Sequence, residues 1–249
     1  MSKWYVKAIQ VGSISAVKSG LTHFRGSNIA LEVPLWIAAA TNGELKVLID
    51  TGIGNLDDIV NGPEPNCHQL EAEQTPIALK NAMGWNVEDV DIVINTHLHF
   101  DHCGCNNMFR NAKFYVQRTE MDAAYNPIPG IAFLYCKEYF DRKAVSYFNW
   151  ILVDGEYEIA PGLKLFPTPG HSVGHQSVLL DTDQGSLCVA GDIVSVIDNI
   201  NDNIETNIVV NTKQVYESFD SIRRKADRIL PGHEPTIKNL CDKDFPEIK

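Results

Sequence analysis

The segment His97-Leu98-His99-Phe100-Asp101-His102 is an H-x-H-x-D-H run set directly after the apolar stretch Asp91-Ile92-Val93-Ile94-Asn95-Thr96. The stretch reads as a buried β-strand, and a strand that runs out into three imidazoles and a carboxylate constrains everything that folds around it. Residues leaving the carboxyl end of a strand enter a loop, where alternating His97 and His99 can face one cation while Asp101 and His102 face a second. Imidazole nitrogens and carboxylate oxygens suit Zn, Fe or Mn, and two such ions about 3.5–4 Å apart trap and activate a water between them. Six residues cannot complete two coordination shells. The fold must therefore bring further ligands, each to the end of another strand.

Three more strand patterns end in this way. Pro161 to Thr168 leads into Pro169-Gly170-His171, Ser186 to Ala190 into Gly191-Asp192, and Ala226 to Leu230 into Pro231-Gly232-His233. A glycine before each polar residue lets the backbone turn sharply and approach an ion closely. A further apolar run, Leu45 to Ile49, ends in Asp50-Thr51-Gly52, where Asp50 reads as a carboxylate that orients a ligand histidine instead of binding metal itself.

With these motifs in this order from about residue 45 to 235, the chain resembles the metallo-β-lactamase superfamily. Position by position, the resemblance implies that His97, His99 and His171 hold a first metal, that Asp101, His102 and His233 hold a second, and that Asp192 bridges both. The segments Thr96 to His102, Val116-Gln117-Arg118-Thr119-Glu120 and Thr168 to Ser177 are similar to the N-acyl-homoserine lactonases of the quorum-quenching type. One departure stands out. Those lactonases commonly carry a Tyr shortly after the bridging Asp, placed to contact the substrate carbonyl, whereas Asp192 is followed by Ile193-Val194-Ser195.

The resemblance implies an α/β fold, the four-layered αββα sandwich, formed by residues 1–249 as a single domain. It also implies a metal-dependent hydrolase opening the lactone ring of N-acyl-homoserine lactones, with two divalent ions: zinc first, with Mn, Fe or Co as the other choices. Asp101 and Asp192 are the catalytic carboxylates on this reading, Asp101 taking the nucleophile's proton and passing it to the leaving alkoxide. Support for the developing oxyanion then has to come from a Tyr elsewhere, from a backbone N–H, or from nothing. The same centre also serves hydrolysis of other small cyclic esters, cyclic amides, β-lactams and thioesters. Glyoxalase-II-type chemistry is disfavoured because only Glu234 to Lys249 follow the last ligand. A di-iron redox protein is the remote alternative, against which stand a His at position 99, where those proteins usually have Glu, and the lack of a flavodoxin domain.

Composition narrows the partners. Lys and Arg number 21 against 32 Asp and Glu, a formal charge of −11, which disfavours nucleic acid. No apolar run is long enough to span a membrane, and Met1-Ser2-Lys3-Trp4-Tyr5-Val6 lacks a signal-peptide core, so the expectation is a cytoplasmic enzyme with a small-molecule substrate. Homodimerisation is implied only by the resemblance. The cysteines Cys67, Cys103, Cys105, Cys136, Cys188 and Cys241 form no C-x-x-C pair and read as reduced thiols, with Cys103 and Cys105 packed beside the site. His23 and His68 lie in polar, turn-rich surroundings and read as surface residues, while His175 is either a partner of a ligand or a substrate contact.

Strand-like and helical runs alternate without a linker or repeat. Thr75 is expected to cap a helix that has Pro76 at its first position and Gly84 at its end. A second helix follows Asn211, with Val215, Phe219, Ile222 and Ala226 on one apolar face. Two segments read as insertions that set specificity: Lys18 to Trp36, and Asn126 to Trp150, whose aromatics either wall an apolar pocket or serve as core.

Overall fold

Apolar residues two apart along a strand share a face, and this alternation builds two sheets around a common interior. The computed structural model describes residues 3–54, 66–237 and 244–248. The first sheet contains β1 (Tyr5–Val17), β2 (Ala30–Thr41), β3 (Lys46–Ile49), β4 (Cys67–His68), β5 (Ile92–Ile94), β6 (Lys113–Gln117) and β7 (Asn149–Val153), in the order β4-β1-β2-β3-β5-β6-β7. The second contains β8 (Tyr157–Ala160), β9 (Leu163–Pro167), β10 (Gln176–Thr182), β11 (Gly185–Gly191) and β12 (Arg228–Pro231), in the order β12-β11-β10-β9-β8. Strands β3, β5, β6 and β7 run parallel, as do β11 and β12; the other pairs are antiparallel. The helices are α1 (Thr75–Met83), α2 (Phe100–Cys103), α3 (Arg118–Tyr125), α4 (Ile197–Asp202) and α5 (Thr212–Lys225).

Val47 and Ile49 of β3 and Ile92 and Ile94 of β5 meet Leu165, Val178, Leu180, Leu187 and Val189 between the sheets. The intervening Leu48 and Val93 face the other way and pack with Leu79 of α1 and Met121 of α3. In the second sheet Cys188 and Ala190 alternate with Leu187 and Val189 and pack under Val215, Phe219 and Ile222 of α5. Helix, sheet, sheet, helix is the expected αββα order.

Helix α5 begins as expected, with the Asn211 side chain accepting the Gln214 N–H at 3.2 Å. At α1 the expected cap is displaced by one residue. Gln74 holds the cap position, and the Thr75 hydroxyl donates instead to the Thr51 carbonyl at 2.8 Å, tying the helix to the segment after β3. Gly84 ends α1 with φ +73°, a left-handed conformation suited to glycine.

The two segments read as insertions are also corrected in part. Ala30 to Trp36 belongs to β2 and pairs with β1 apart from a bulge at Leu35, and Asn149 and Trp150 open β7. Strand propensity is masked in the first by Pro34 and in the second by the aromatic density that suggested a pocket wall.

Candidate metal centre

Each strand that carries a proposed ligand delivers it from its carboxyl end. His97 follows β5, His171 follows β9, Asp192 follows β11 and His233 follows β12. Strands β9 and β11 both run antiparallel to β10, so their carboxyl ends lie at the same edge as that of β12. Short connections matter here, because a ligand one to four residues from a paired strand has little freedom to wander. Two glycines allow the closest approaches. A β-carbon on Gly232 would collide with Asp192 Oδ1. One on Gly191, where φ is +60°, would stand 2.8 Å from His175 Nε2.

The side chains gather in two groups, His97 with His99 and His171, and Asp101 with His102, Asp192 and His233. In the first, His99 Nδ1 lies 2.9 Å from His97 Nε2 and 3.1 Å from His171 Nε2. The opposite nitrogens are already engaged, His97 Nδ1 with Thr96 Oγ1 at 3.1 Å and His171 Nδ1 with the Ile208 carbonyl at 3.0 Å. Burial, reinforced by the neighbouring imidazoles, pushes the pKa values of His97 and His99 well below the ordinary histidine range. Burial lowers that of His171 too, against the pull of Asp192. Three neutral rings aimed at one point are a donor set suited to a cation.

The second group is acidic. Asp192 Oδ1 is 3.1 Å from His102 Nε2, and Asp192 Oδ2 is 3.1 Å from His233 Nε2 and 3.6 Å from His171 Nε2. Asp101 Oδ2 lies 3.6 Å from His102 Nε2 and 3.7 Å from His233 Nε2. Burial opposes a charge on His102, but Asp192, Asp101 and Asp50 outweigh it and raise its pKa well above the ordinary value. Burial likewise opposes the charge on Asp192, yet His233 and His102 hold its carboxyl well below the usual range.

Despite their separation of 3.1 Å, His102 Nε2 and Asp192 Oδ1 are not aligned as donor and acceptor, and both are buried without a hydrogen-bond partner. Polar atoms buried in this way are costly unless something else satisfies them. Buried polar atoms that converge without bonding each other fit a divalent cation, which would displace any proton on His102 Nε2.

Asp50 does what its position after β3 implied. Its Oδ2 accepts from Thr96 Oγ1 at 2.8 Å and meets His102 Nδ1 at 2.8 Å, while Oδ1 accepts the Thr96 N–H at 2.7 Å. The residue sits at φ +58°, an unusual conformation for a side chain with a β-carbon, held by these three contacts. His233 is oriented by a partner that leaves no sequence signature, the Pro34 carbonyl 3.0 Å from Nδ1.

His175 belongs to neither group. Its Nδ1 meets Thr168 Oγ1 at 2.9 Å and its Nε2 accepts the Asp192 N–H at 3.1 Å, so it fixes the backbone from which Asp192 projects. Replacing His175 with Ala should leave two cations per protein by elemental analysis, with affinity weakened about 10–100-fold. Loss of stoichiometric metal would instead make His175 a ligand.

The thiols of Cys103 and Cys105 donate to the Leu98 and Ile53 carbonyls at 3.4 and 3.0 Å. Burial raises the Cys105 thiol to about 11, keeping it protonated, and neither sulfur joins the two groups. The described cysteines are unbridged, and Cys241 lies outside the described residues. His68 is exposed and His23 half-buried beside Glu205, and neither belongs to the two groups.

A cavity of about 340 Å³ opens onto His99, Asp101, His171, Asp192 and His233. Its walls include Ile14 and Ile208, Leu21 and Val33 from the Lys18 to Trp36 segment, and Phe133 and Leu134 from the aromatic segment. Both readings of that segment hold in part, since Tyr139, Phe140 and Phe148 are core. Among the described residues no tyrosine lines the cavity, while Ser195, third after Asp192, does. The Tyr135 hydroxyl donates to Glu120 at 3.3 Å and the Tyr125 hydroxyl to Asp141 at 3.0 Å, so both are engaged outside the cavity lining.

The model of the metallo-beta-lactamase superfamily matches residues 35–233, which spans every residue of both groups. An N-acyl homoserine lactonase of Bacillus thuringiensis is 32% identical over 246 residues, covering 94% of this chain and 92% of that protein. The N-acyl homoserine lactonase AttM of Azorhizobium caulinodans is 27% identical, covering 91% and 92%. A solved structure of an N-acyl homoserine lactone hydrolase, with the product N-hexanoyl-L-homoserine at its catalytic metal centre, aligns with a TM-score of 0.82 at 26% identity, covering 99% of this chain and 100% of that one. The strand-end ligands, the four layers and these likenesses agree, and the chain belongs to the metallo-β-lactamase superfamily of metal-dependent hydrolases.

Proposed function

We propose that this protein is a dinuclear lactonase that opens the ring of N-acyl-homoserine lactones. The observation that carries the reading is the pair of side-chain groups sharing Asp192 at the floor of a cavity with an apolar wall. His97, His99 and His171 would hold one ion and Asp101, His102 and His233 the other, with Asp192, within reach of His171 and His233, shared by the two. Two divalent cations, zinc foremost, supply hydroxide at neutral pH by lowering the pKa of water from about 15.7 towards about 7, and they polarise a carbonyl oxygen.

The chain's own residues then do the following. Asp101 Oδ2, next to His102 and His233, takes the remaining proton of the attacking hydroxide and returns it to the ring oxygen as the C–O bond breaks, leaving a carboxylate and a hydroxyl. Ile14, Leu21, Val33, Phe133 and Leu134 exclude water and accept an acyl chain. Ser195 is the hydroxyl nearest in sequence to the position where the lactonases carry Tyr, and it offers the carbonyl a hydrogen bond from the cavity wall.

A second reading, hydrolysis of another small cyclic ester, β-lactam or thioester, draws on the absence of a lining tyrosine among the described residues. A panel on metal-analysed protein separates the two: acyl-homoserine lactones of several chain lengths, simple lactones, cyclic amides, nitrocefin and a glutathione thioester. The proposal expects acyl-homoserine lactones to show the highest kcat/KM, rising with chain length as the apolar wall fills. Two bound metals with faster turnover of any other class would transfer the assignment to that class.

A further inference from the structure

Glu120 stands in the first turn of α3, a fully buried carboxylate with no ion-pair partner among the described residues. Such a group has to be held by hydrogen bonds, and four donors reach it. The Leu98 N–H and the Tyr135 hydroxyl donate to Oε1 at 3.1 and 3.3 Å. The Ser172 hydroxyl and the Gly174 N–H donate to Oε2 at 2.7 and 3.0 Å.

The identity of these donors is informative. Leu98 lies between His97 and His99, Ser172 follows His171, and Gly174 precedes His175. One carboxylate thus ties the loop after β5 to the loop after β9, the two loops that together supply the first group of imidazoles. Gly174 packs so tightly on Glu120 that a β-carbon there would collide with the Glu120 backbone. Tyr135, the fourth donor, also sets its ring edge-on to His99, with centroids 4.8 Å apart, and directly follows the cavity-wall residues Phe133 and Leu134.

We propose that Glu120 is a positioning residue for the His97, His99 and His171 site, fixing the two ligand loops against each other and coupling them through Tyr135 to the cavity wall. The proposal rests on the metal reading above and concerns only the first of the two sites. Its effect is selective because, among the described residues, none of the four donors to Glu120 is hydrogen-bonded to Asp101, His102 or His233.

The isosteric variant Glu120→Gln tests this. Leu98 and Gly174 present N–H groups to opposite oxygens, so whichever way a glutamine amide is turned, its NH₂ faces one backbone N–H and that contact is lost. Stepwise Co²⁺ titration, followed by visible absorption and chelator competition, reads the two affinities separately. Wild-type protein should bind two ions. In E120Q the affinity of one site should fall about 10–100-fold, the cost of losing an outer partner of a metal ligand, while the other site keeps its wild-type affinity. Ser172→Ala and Tyr135→Phe each remove one donor while retaining Glu120, and each should weaken the same site severalfold without lowering the other; they stand in if E120Q does not fold. Equal weakening of both sites would mean a general structural role and would overturn the proposal, as would unchanged binding in these variants. Wild-type protein that binds no Co²⁺ would overturn the metal reading itself, a different failure from wild-type binding two ions and E120Q binding both as tightly.

Discussion

Asp192→Ala should yield a folded protein that retains neither cation at stoichiometric level and whose kcat/KM falls by on the order of 10³-fold or more, beyond the 10–100-fold typical of losing an outer partner. The expectation follows from reach. Asp192 Oδ1 lies 3.1 Å from His102, and Oδ2 lies 3.1 Å from His233 and 3.6 Å from His171, so this carboxylate touches both groups of donors. Electrostatics adds to the loss. Burial disfavours charge on His102 and His233, and Asp192 is the foremost group opposing it, so the substitution removes the anion around which the second site is arranged. Asp192→Asn separates charge from shape, keeping an oxygen while losing the negative charge; it should retain some metal but remain strongly impaired. Elemental analysis after exhaustive dialysis is the measurement, and two ions retained by the alanine variant would rule out the bridging role.

Phe219→Ala should destabilise the protein by about 3–5 kcal/mol, the usual cost of deleting a buried phenyl ring. Phe219 is fully buried, packed with Val215 and Ile222 of α5 against Cys188, Ala190 and Ile229 of the second sheet. The opposite face of helix α5 carries Arg224, Lys213 and Glu217, while Ser218, Arg223 and Lys225 add polar ties to the Pro169 carbonyl at 2.8 Å, to Asn203 at 2.8 Å and to Glu156 at 2.7 Å. At about 2–4 °C per kcal/mol for a chain of this size, the midpoint should drop by roughly 6–20 °C. Thermal unfolding has to be followed on metal-stripped protein, because cations bound only to the native state would mask part of the loss. A shift below about 1 kcal/mol would mean that the layer relaxes around the missing ring or that α5 is not cemented by its apolar face.

The clustering of the proposed ligands was legible in the sequence because those that end a strand are polar residues placed where an apolar strand pattern stops, and that boundary survives in the primary structure. His97, His171, Asp192 and His233 all follow this rule. Asp50 was legible for the same reason, and the contact to His102 bears it out. The orienting carbonyls of Pro34 and Ile208 were not, since every residue has a carbonyl and only tertiary structure selects one. His175 stayed ambiguous because four residues of separation from His171 do not say which way a loop side chain turns; its bond to the Asp192 N–H resolves the question. Thr75 was misplaced by one residue because local capping chemistry competed with a distant acceptor, the Thr51 carbonyl. Glu120 appeared only as a letter in a motif, since a carboxylate that binds neither metal nor base has no spacing rule to betray it.

The Pro34 carbonyl and His233 are 199 residues apart in the chain, and the Trp36 indole closes the same seam by donating to the Glu234 carbonyl at 3.1 Å. A contact of such sequence separation carries a large loop-closure cost unless the intervening chain is already ordered. Six of the seven proposed ligands precede His233 in the chain, so on that assignment the second group stays incomplete until the last strand has been made. Occupancy of the second site would then report that both ends of the scaffold have docked.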